Sequence, residues 1–154
     1  DGVTIMKRFN IEINYPIAIN GEESVHLDSK VNVDILSQFD VLNWQRFRDV
    51  QLQLSDSKTS FTVTNNLTQQ TIRLNLLADR RIDQIQFSLE SDIEIMTKHK
   101  DFFGLFTRNS KDYIRFGSLN FSQAYAYLGL FLSEEIQSLE TRYRFSLEKF
   151  IQAA

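Results

Sequence analysis

Cysteine is absent from this chain of 154 residues. Its absence excludes disulfides, thiolate nucleophiles and cysteine metal sites. There are only two histidines, His26 and His99, which leaves little for metal ligation or a catalytic triad. His26 sits opposite Val25 and Leu27 in an alternating run, so it should face solvent, and His99 lies between Lys98 and Lys100 in what reads as an exposed loop. One proline and five glycines argue against disordered linkers and low complexity. Glycine is also too scarce for a phosphate-cradling loop, and no GxSxG, HExxH, P-loop or GxGxxG pattern occurs. No apolar run approaches the roughly 18 residues of a membrane span.

An excess of charge of either sign is missing as well. The net charge is -3, residues 1–77 hold 9 acids and 7 bases, and residues 78–154 hold 11 and 10. Neither half has the basic footprint of a nucleic-acid binder. Asp1 to Met6 contains no apolar segment of the signal-peptide kind, and the chain reads as cytoplasmic.

What is present is a soluble globular composition, 42% hydrophobic and 24% charged, with 13 phenylalanines. The length suits a single domain over residues 1–154 with one substantial core.

Alternation opens the chain. Phe9, Ile11, Ile13 and Tyr15 are apolar at period two, the pattern of a half-buried strand, and Pro16 ends it. Asn20-Gly21 is a hairpin-type turn signal. Val25 and Leu27, then Val31, Val33 and Ile35, continue the alternation. Residues 36–49 follow no clean period, and Asp40 is a candidate cap for a short helix through Phe47. Val50, Leu52 and Leu54 return to strand spacing, followed by Phe61 with Val63 and by Ile72, Leu74 and Leu76. Ile85 to Ile95 keeps one parity throughout, as one bent strand or as two with a bend near Ser91. Lys98 to Asp101 reads as a turn. Phe102–Phe106 and Tyr113–Phe116 then read as a strand pair joined across Arg108-Asn109-Ser110-Lys111.

The end of the chain is helical. Phe121, Tyr125, Leu128, Leu132, Ile136, Leu139, Tyr143, Leu147 and Phe150 recur at intervals of three and four. Ser118 or Asn120 can cap this stripe. Gly129 lies inside it, where a close approach to the sheet would explain a residue that costs up to about 1 kcal/mol relative to Ala. The expected fold is therefore α+β: a curved antiparallel sheet of about six to eight strands, ending near residue 117, packed on one long C-terminal helix over about 119–151.

That order resembles the helix-grip superfamily of START domains and polyketide-cyclase-like proteins. The similarity is carried by Leu36-Ser37-Gln38-Phe39-Asp40 through Trp44, Phe47 and Val50, by Phe102-Phe103-Gly104-Leu105-Phe106 with Tyr113-Ile114-Arg115-Phe116, and by Leu128 to Phe150. The superfamily places helices where residues 17–35 here read as strands. A lipocalin-like barrel with a trailing helix, or another open sheet plus helix, fits the same order. The resemblance implies a sheet gripping its closing helix around an apolar ligand.

Two sets of residues are candidate sites. Phe87, Phe103, Phe106, Phe116, Tyr125, Leu128, Phe131 and Leu132 could line a pocket for an apolar small molecule or lipid between sheet and helix, or fill a core there. Glu90, Asp92 and Glu94 share one strand face about 7 Å apart, and suit a basic protein partner or a solvated surface. The basic pairs Arg46/Arg48, Arg80/Arg81, Lys98/Lys100 and Arg108/Lys111 read as solubilising or edge-protecting charges. No cofactor, metal or catalytic residue is assigned, and the balance is against an enzyme. The two functional expectations are a binding module for an apolar ligand and a protein-interaction module, such as a bacterial toxin-immunity protein, that uses the acidic strand face.

Overall fold

A computed structural model of the chain describes residues 8–16, 24–29, 32–54, 57–101, 104 and 106–153. The fold is α+β. Eight strands and four helices lie among the described residues: β1 (Phe9–Asn14), β2 (Ser24–Ser29), α1 (Asn32–Val41), α2 (Trp44–Gln53), β3 (Ser60–Asn65), β4 (Thr71–Leu77), β5 (Gln86–Ser91), β6 (Glu94–Asp101), β7 (Phe106–Tyr113), β8 (Phe116–Asn120), α3 (Phe121–Leu132) and α4 (Ile136–Ala153). Six strands form an open sheet in the order β2-β1-β3-β4-β5-β8, and β6-β7 form a separate two-stranded sheet. Every pairing is antiparallel.

β1 is the strand its alternation predicts. Phe9, Ile11 and Ile13 are buried, while Asn10 and Glu12 stand on the other face. The chain departs from the expected pattern after β2. Val33 and Ile35 are not strand residues, because they belong to α1, whose face Ile35, Leu36, Phe39 packs on the sheet. Asp40 caps no helix; it is an exposed residue within α1. Asn43 caps α2 instead, its side chain accepting from the Arg46 amide at 3.2 Å. α2 runs on to Gln53, so Val50 and Leu52 are helical, and Leu54 is its C-terminal cap. The residues that α2 buries are Trp44, Phe47 and Arg48, at helical spacing. The period-two run at Val50, Leu52 and Leu54 is only half-buried or exposed. The turn expected at Asn20-Gly21 lies outside the described residues.

The run from Ile85 to Ile95 is two strands with a break after Ser91. At the break the Asp92 side chain accepts from the Thr71 amide at 2.7 Å, where β4 begins. The Ser91 hydroxyl donates to the Ile114 carbonyl at 2.6 Å. Past this point β6 and β7 continue as a hairpin beyond the main sheet. The segments expected to be turns, Lys98–Asp101 and Arg108–Lys111, are strand residues paired across it, Lys98 with Asn109 and His99 with Arg108. The hairpin reverses around Gly104, whose φ of 80° suits a residue without Cβ. Phe102, Phe103 and Leu105 lie outside the described residues.

The long C-terminal helix is two helices. Asn120 caps α3 in a reciprocal box with Gln123, and α3 ends in paired bonds from the Glu134 amide to Phe131 O and from the Glu135 amide to Leu130 O. Glu134 takes the left-handed conformation there, with φ 59°. Its carboxylate is held by Arg8 and by Asn65, whose Nδ2 donates to Oε1 at 3.0 Å. These hydrogen bonds hold the Glu134 carboxyl below the usual carboxylate range. The apolar stripe continues across the break, with Leu132 buried before it and Leu139 after it. α3 buries Ala124, Leu128, Phe131 and Leu132, and α4 buries Leu139 and Tyr143. Gly129 is not in close contact with the sheet: a Cβ placed there meets nothing within 4 Å.

Helices α1, α2 and α3 cover one face of the main sheet. Phe39 is the hub of the layer between them, with ring centroids 5.1 Å from Trp44 and 5.4 Å from each of Phe61, Phe87 and Phe121. The Trp44 indole N–H donates to the Phe39 carbonyl at 2.8 Å, so its polar atom is satisfied inside this layer.

Candidate functional site

The molecule has a covered interior, a polar sheet face on the other side, and a groove beside α4.

The interior holds most of the aromatic and aliphatic candidates. Phe87, Leu128, Phe131 and Leu132 are buried to 1% exposure or less. Phe87 touches Phe39, Trp44 and Phe121, and Phe131 lies 6.3 Å from Phe9. Phe116 sits at the far end against Tyr127 and Tyr143. Tyr125 is exposed, its ring over Phe121 at the edge of the layer. Phe106 occupies the register position opposite Asp101 at the hairpin end, and its side chain is not among those described. Phe103 lies outside the described residues. The structure therefore gathers Phe87, Leu128, Phe131 and Leu132 in one layer, and sets Phe116, Tyr125 and the Phe106 backbone apart from one another.

The other face of the sheet is polar: among the described residues Ser60 and Thr62 are buried there, while Arg73 and Glu90 are exposed. Ser60, Thr62 and Thr64 of β3 stand opposite Asn75, Arg73 and Thr71 of β4, and Arg73 and Asn75 stand opposite Glu90 and Ser88 of β5. Cross-strand hydrogen bonds order these side chains. Thr64 Oγ1 lies 2.9 Å from Thr71 Oγ1, Arg73 Nε donates to Thr62 Oγ1 at 3.2 Å, and Asn75 Nδ2 donates to Glu90 Oε1 at 2.5 Å. Glu90, Asp92 and Glu94 are all exposed and point away from Leu89, Ile93 and Ile95, which are buried. Each also has a partner within the chain: Asn75 for Glu90, the Thr71 amide for Asp92, and Lys111 at 3.2 Å for Glu94.

The basic pairs are largely committed to structure. Arg48 is buried and donates to the carbonyls of Asp79 and Ile82, clasping the turn after β4 to α2. Arg80 donates to Leu52 O at 2.8 Å. The Arg81 guanidinium on Asp79 holds that carboxyl down to about 2. Among the described residues no group of His, Asp or Glu is placed to hold a metal ion.

Two open grooves mark the surface. One, of about 600 Å³, runs between α2 and the sheet past Gln51, Thr59, Asn75, Arg80 and Glu90. The other, of about 830 Å³, lies between β8, α3 and α4, lined by Phe116, Leu119, Tyr127, Arg142, Phe145 and Lys149 among others. Sequence reading passed over this second groove. Its signal was the spacing of Arg142, Phe145 and Lys149, an aromatic between two cations on one helical face, off the apolar stripe. Among the described residues no helix is long and apolar enough to cross a membrane.

No protein-family model, no curated protein and no solved structure matches the chain.

Proposed function

We propose that the chain is a non-enzymatic protein-interaction module that meets a basic partner on the polar face of its main sheet at Glu90, and along Asp92 and Glu94 where the chain passes into the β6-β7 hairpin. The observation that carries this reading is the set of cross-strand hydrogen bonds from Thr64 to Glu90, which orders the polar side chains of that face up to the exposed Glu90. Docking on it costs little side-chain entropy, the usual toll of a polar interface. The exposed carboxylates at its end add sign selectivity, since each keeps lone pairs free beyond its internal partner.

The alternative, an apolar ligand between the sheet and α3, needs room where Phe39, Phe61, Phe87 and Phe121 already touch. The helix-grip resemblance enters this proposal as architecture: one covered sheet face closed by α3, with the curvature of that sheet as the finer claim.

Native mass spectrometry of the chain, alone and co-expressed with the products of neighbouring genes, tests both readings. The expected result is a ligand-free chain and a protein complex that weakens about tenfold or more in the Glu90→Lys, Glu94→Lys double variant. An apolar adduct carried by the chain alone, or a complex indifferent to both substitutions, would overturn the proposal.

A further inference from the structure

The groove beside α4 differs from the sheet face in charge and in kind. Its floor is Phe116 and Tyr127, with ring centroids 4.8 Å apart. Its wall is α4, where Arg142 lies 5.6 Å from the Tyr127 ring centroid and Lys149 lies 5.7 Å from that of Phe145. Phe145 is 61% exposed, an aromatic held at the rim and not in the core. No carboxylate lines the groove, and neither Arg142 nor Lys149 has an acidic partner among the described residues. In a chain of net charge -3 this is a local reversal of sign.

The opposite wall is β8, which pairs with β5 on one side and, among the described residues, is the last strand of the sheet on the other. An edge strand presents unpaired N–H and C=O groups that another extended chain can complete. The register of β8 on β5 shifts between Phe87 and Leu89. Gly117 and Ser118 are exposed, and Ser118 lines the groove.

We infer that this groove receives an extended acidic peptide segment of a partner protein, which adds to the edge of β8 while its carboxylates meet Arg142 and Lys149. Three features select that occupant. The free strand edge supplies main-chain hydrogen bonds, the exposed Phe145 and the Phe116–Tyr127 pair take an apolar side chain, and the two unpaired cations fix the sign of the rest. The volume lies within the range of about 300–1,000 Å³ usual for ligand sites. A second copy of the chain is disfavoured, because two-fold pairing of β8 with β8 would bring both sets of cations together. The inference is independent of the sheet-face proposal, since it concerns another surface of opposite charge.

Fluorescence anisotropy with labelled peptides alternating Glu and Val, their Lys–Val counterparts, and Glu–Val peptides N-methylated on alternate residues tests it on the full chain. The Glu–Val peptide is expected to bind, with hydrogen-exchange protection at Gly117–Asn120. The other two are expected to bind about tenfold or more weakly. Arg142→Glu with Lys149→Glu should abolish binding while leaving the Tm and the Glu90/Glu94-dependent complex unchanged, because both cations are exposed. Equal binding of the Glu and Lys peptides, insensitivity to N-methylation, no binding of any peptide, or a concentration-dependent dimer protected at Gly117–Asn120 would each overturn the inference.

Discussion

The Tyr143 hydroxyl donates to Asp112 Oδ2 at 2.6 Å, joining the middle of α4 to the β6-β7 hairpin. Tyr143 is 2% exposed, and its ring packs edge-on against Phe116. The next residue, Arg144, donates to Met96 O at 2.7 Å and so fastens the other strand of the hairpin. Tyr143→Phe keeps the ring and removes only the charged hydrogen bond. It should lower stability by about 1–2 kcal/mol in urea unfolding at neutral pH, with the m-value unchanged.

The same hydroxyl shapes the alkaline limit. Burial, then the hydrogen bond to Asp112, raise the Tyr143 pKa above its ordinary value. A group whose folded pKa is raised adds stability that is complete below the unfolded pKa, near 10 for Tyr. That contribution drains as pH climbs through the folded value. The acid limit has the opposite sign. The Glu134 carboxyl is held below its usual range by hydrogen bonds from Arg8 and Asn65, and that of Asp79 down to about 2 by Arg81. Their contribution is complete above the ordinary carboxylate pKa and is lost as pH falls toward 2. Thermal melts across pH should therefore fall off on both sides of a plateau, and in Tyr143→Phe the alkaline fall should be shallower.

Phe39 is the side chain whose truncation should cost most. It is fully buried and touches four other rings. Phe39→Ala should destabilise by about 3–5 kcal/mol, from lost transfer energy plus the cavity left behind. Phe145→Ala, at the exposed rim, should change stability by less than about 0.5 kcal/mol. Chemical denaturation of both variants gives the contrast, and equal losses would mean that the ring layer is not the core.

Gly129 offers a gain. It sits within α3, and the space where its Cβ would stand is open to at least 4 Å. Gly129→Ala should raise stability by about 1 kcal/mol, or the Tm by roughly 2–4 °C, by restricting the unfolded chain. A fall in Tm would mean that the glycine serves a contact this geometry does not contain.

Where side chains sort cleanly into two faces, sequence and structure agree. β1, β4 and β5 alternate because one face meets helices and the other is more exposed, and β3, buried on both faces, still keeps its apolar side chains on the helix side. Disagreement arises where short patterns coincide by chance. Val33 and Ile35 continue the alternation of β2, yet Ile35, Leu36 and Phe39 share a helical face, and tertiary burial decides between them. Val50, Leu52 and Leu54 look like a strand because two half-buried apolar residues of α2 happen to precede the leucine that caps it. β7 looked like a turn because its middle is polar on both faces. A hairpin that projects past the sheet has little core to face, so its alternation fades. The break at Ser133–Glu135 is hidden because Glu134, not glycine, takes the left-handed position. Of the candidate site residues, Glu90, Asp92 and Glu94 are exposed as their parity suggests, but they do not share one strand: Glu90 is in β5, Asp92 in the break and Glu94 in β6. The cations of the groove were not legible, since a solvated helix side and a binding wall have the same composition.

The placement of β1 has a kinetic consequence. β3 to β5 and β6 to β7 pair with near neighbours in sequence, but Phe9 pairs with Asn65, on the far side of α1 and α2. Closing so long a loop carries an entropic cost before any contact returns energy. The β3-β4-β5 meander should therefore form early, and β1, carrying β2 with it, should dock on the edge of β3 last. Until it does, the edge of β3 stays open, with Phe61 and Val63 alongside it, and this late-closing gap is where the unfinished chain is most vulnerable to pairing with another molecule.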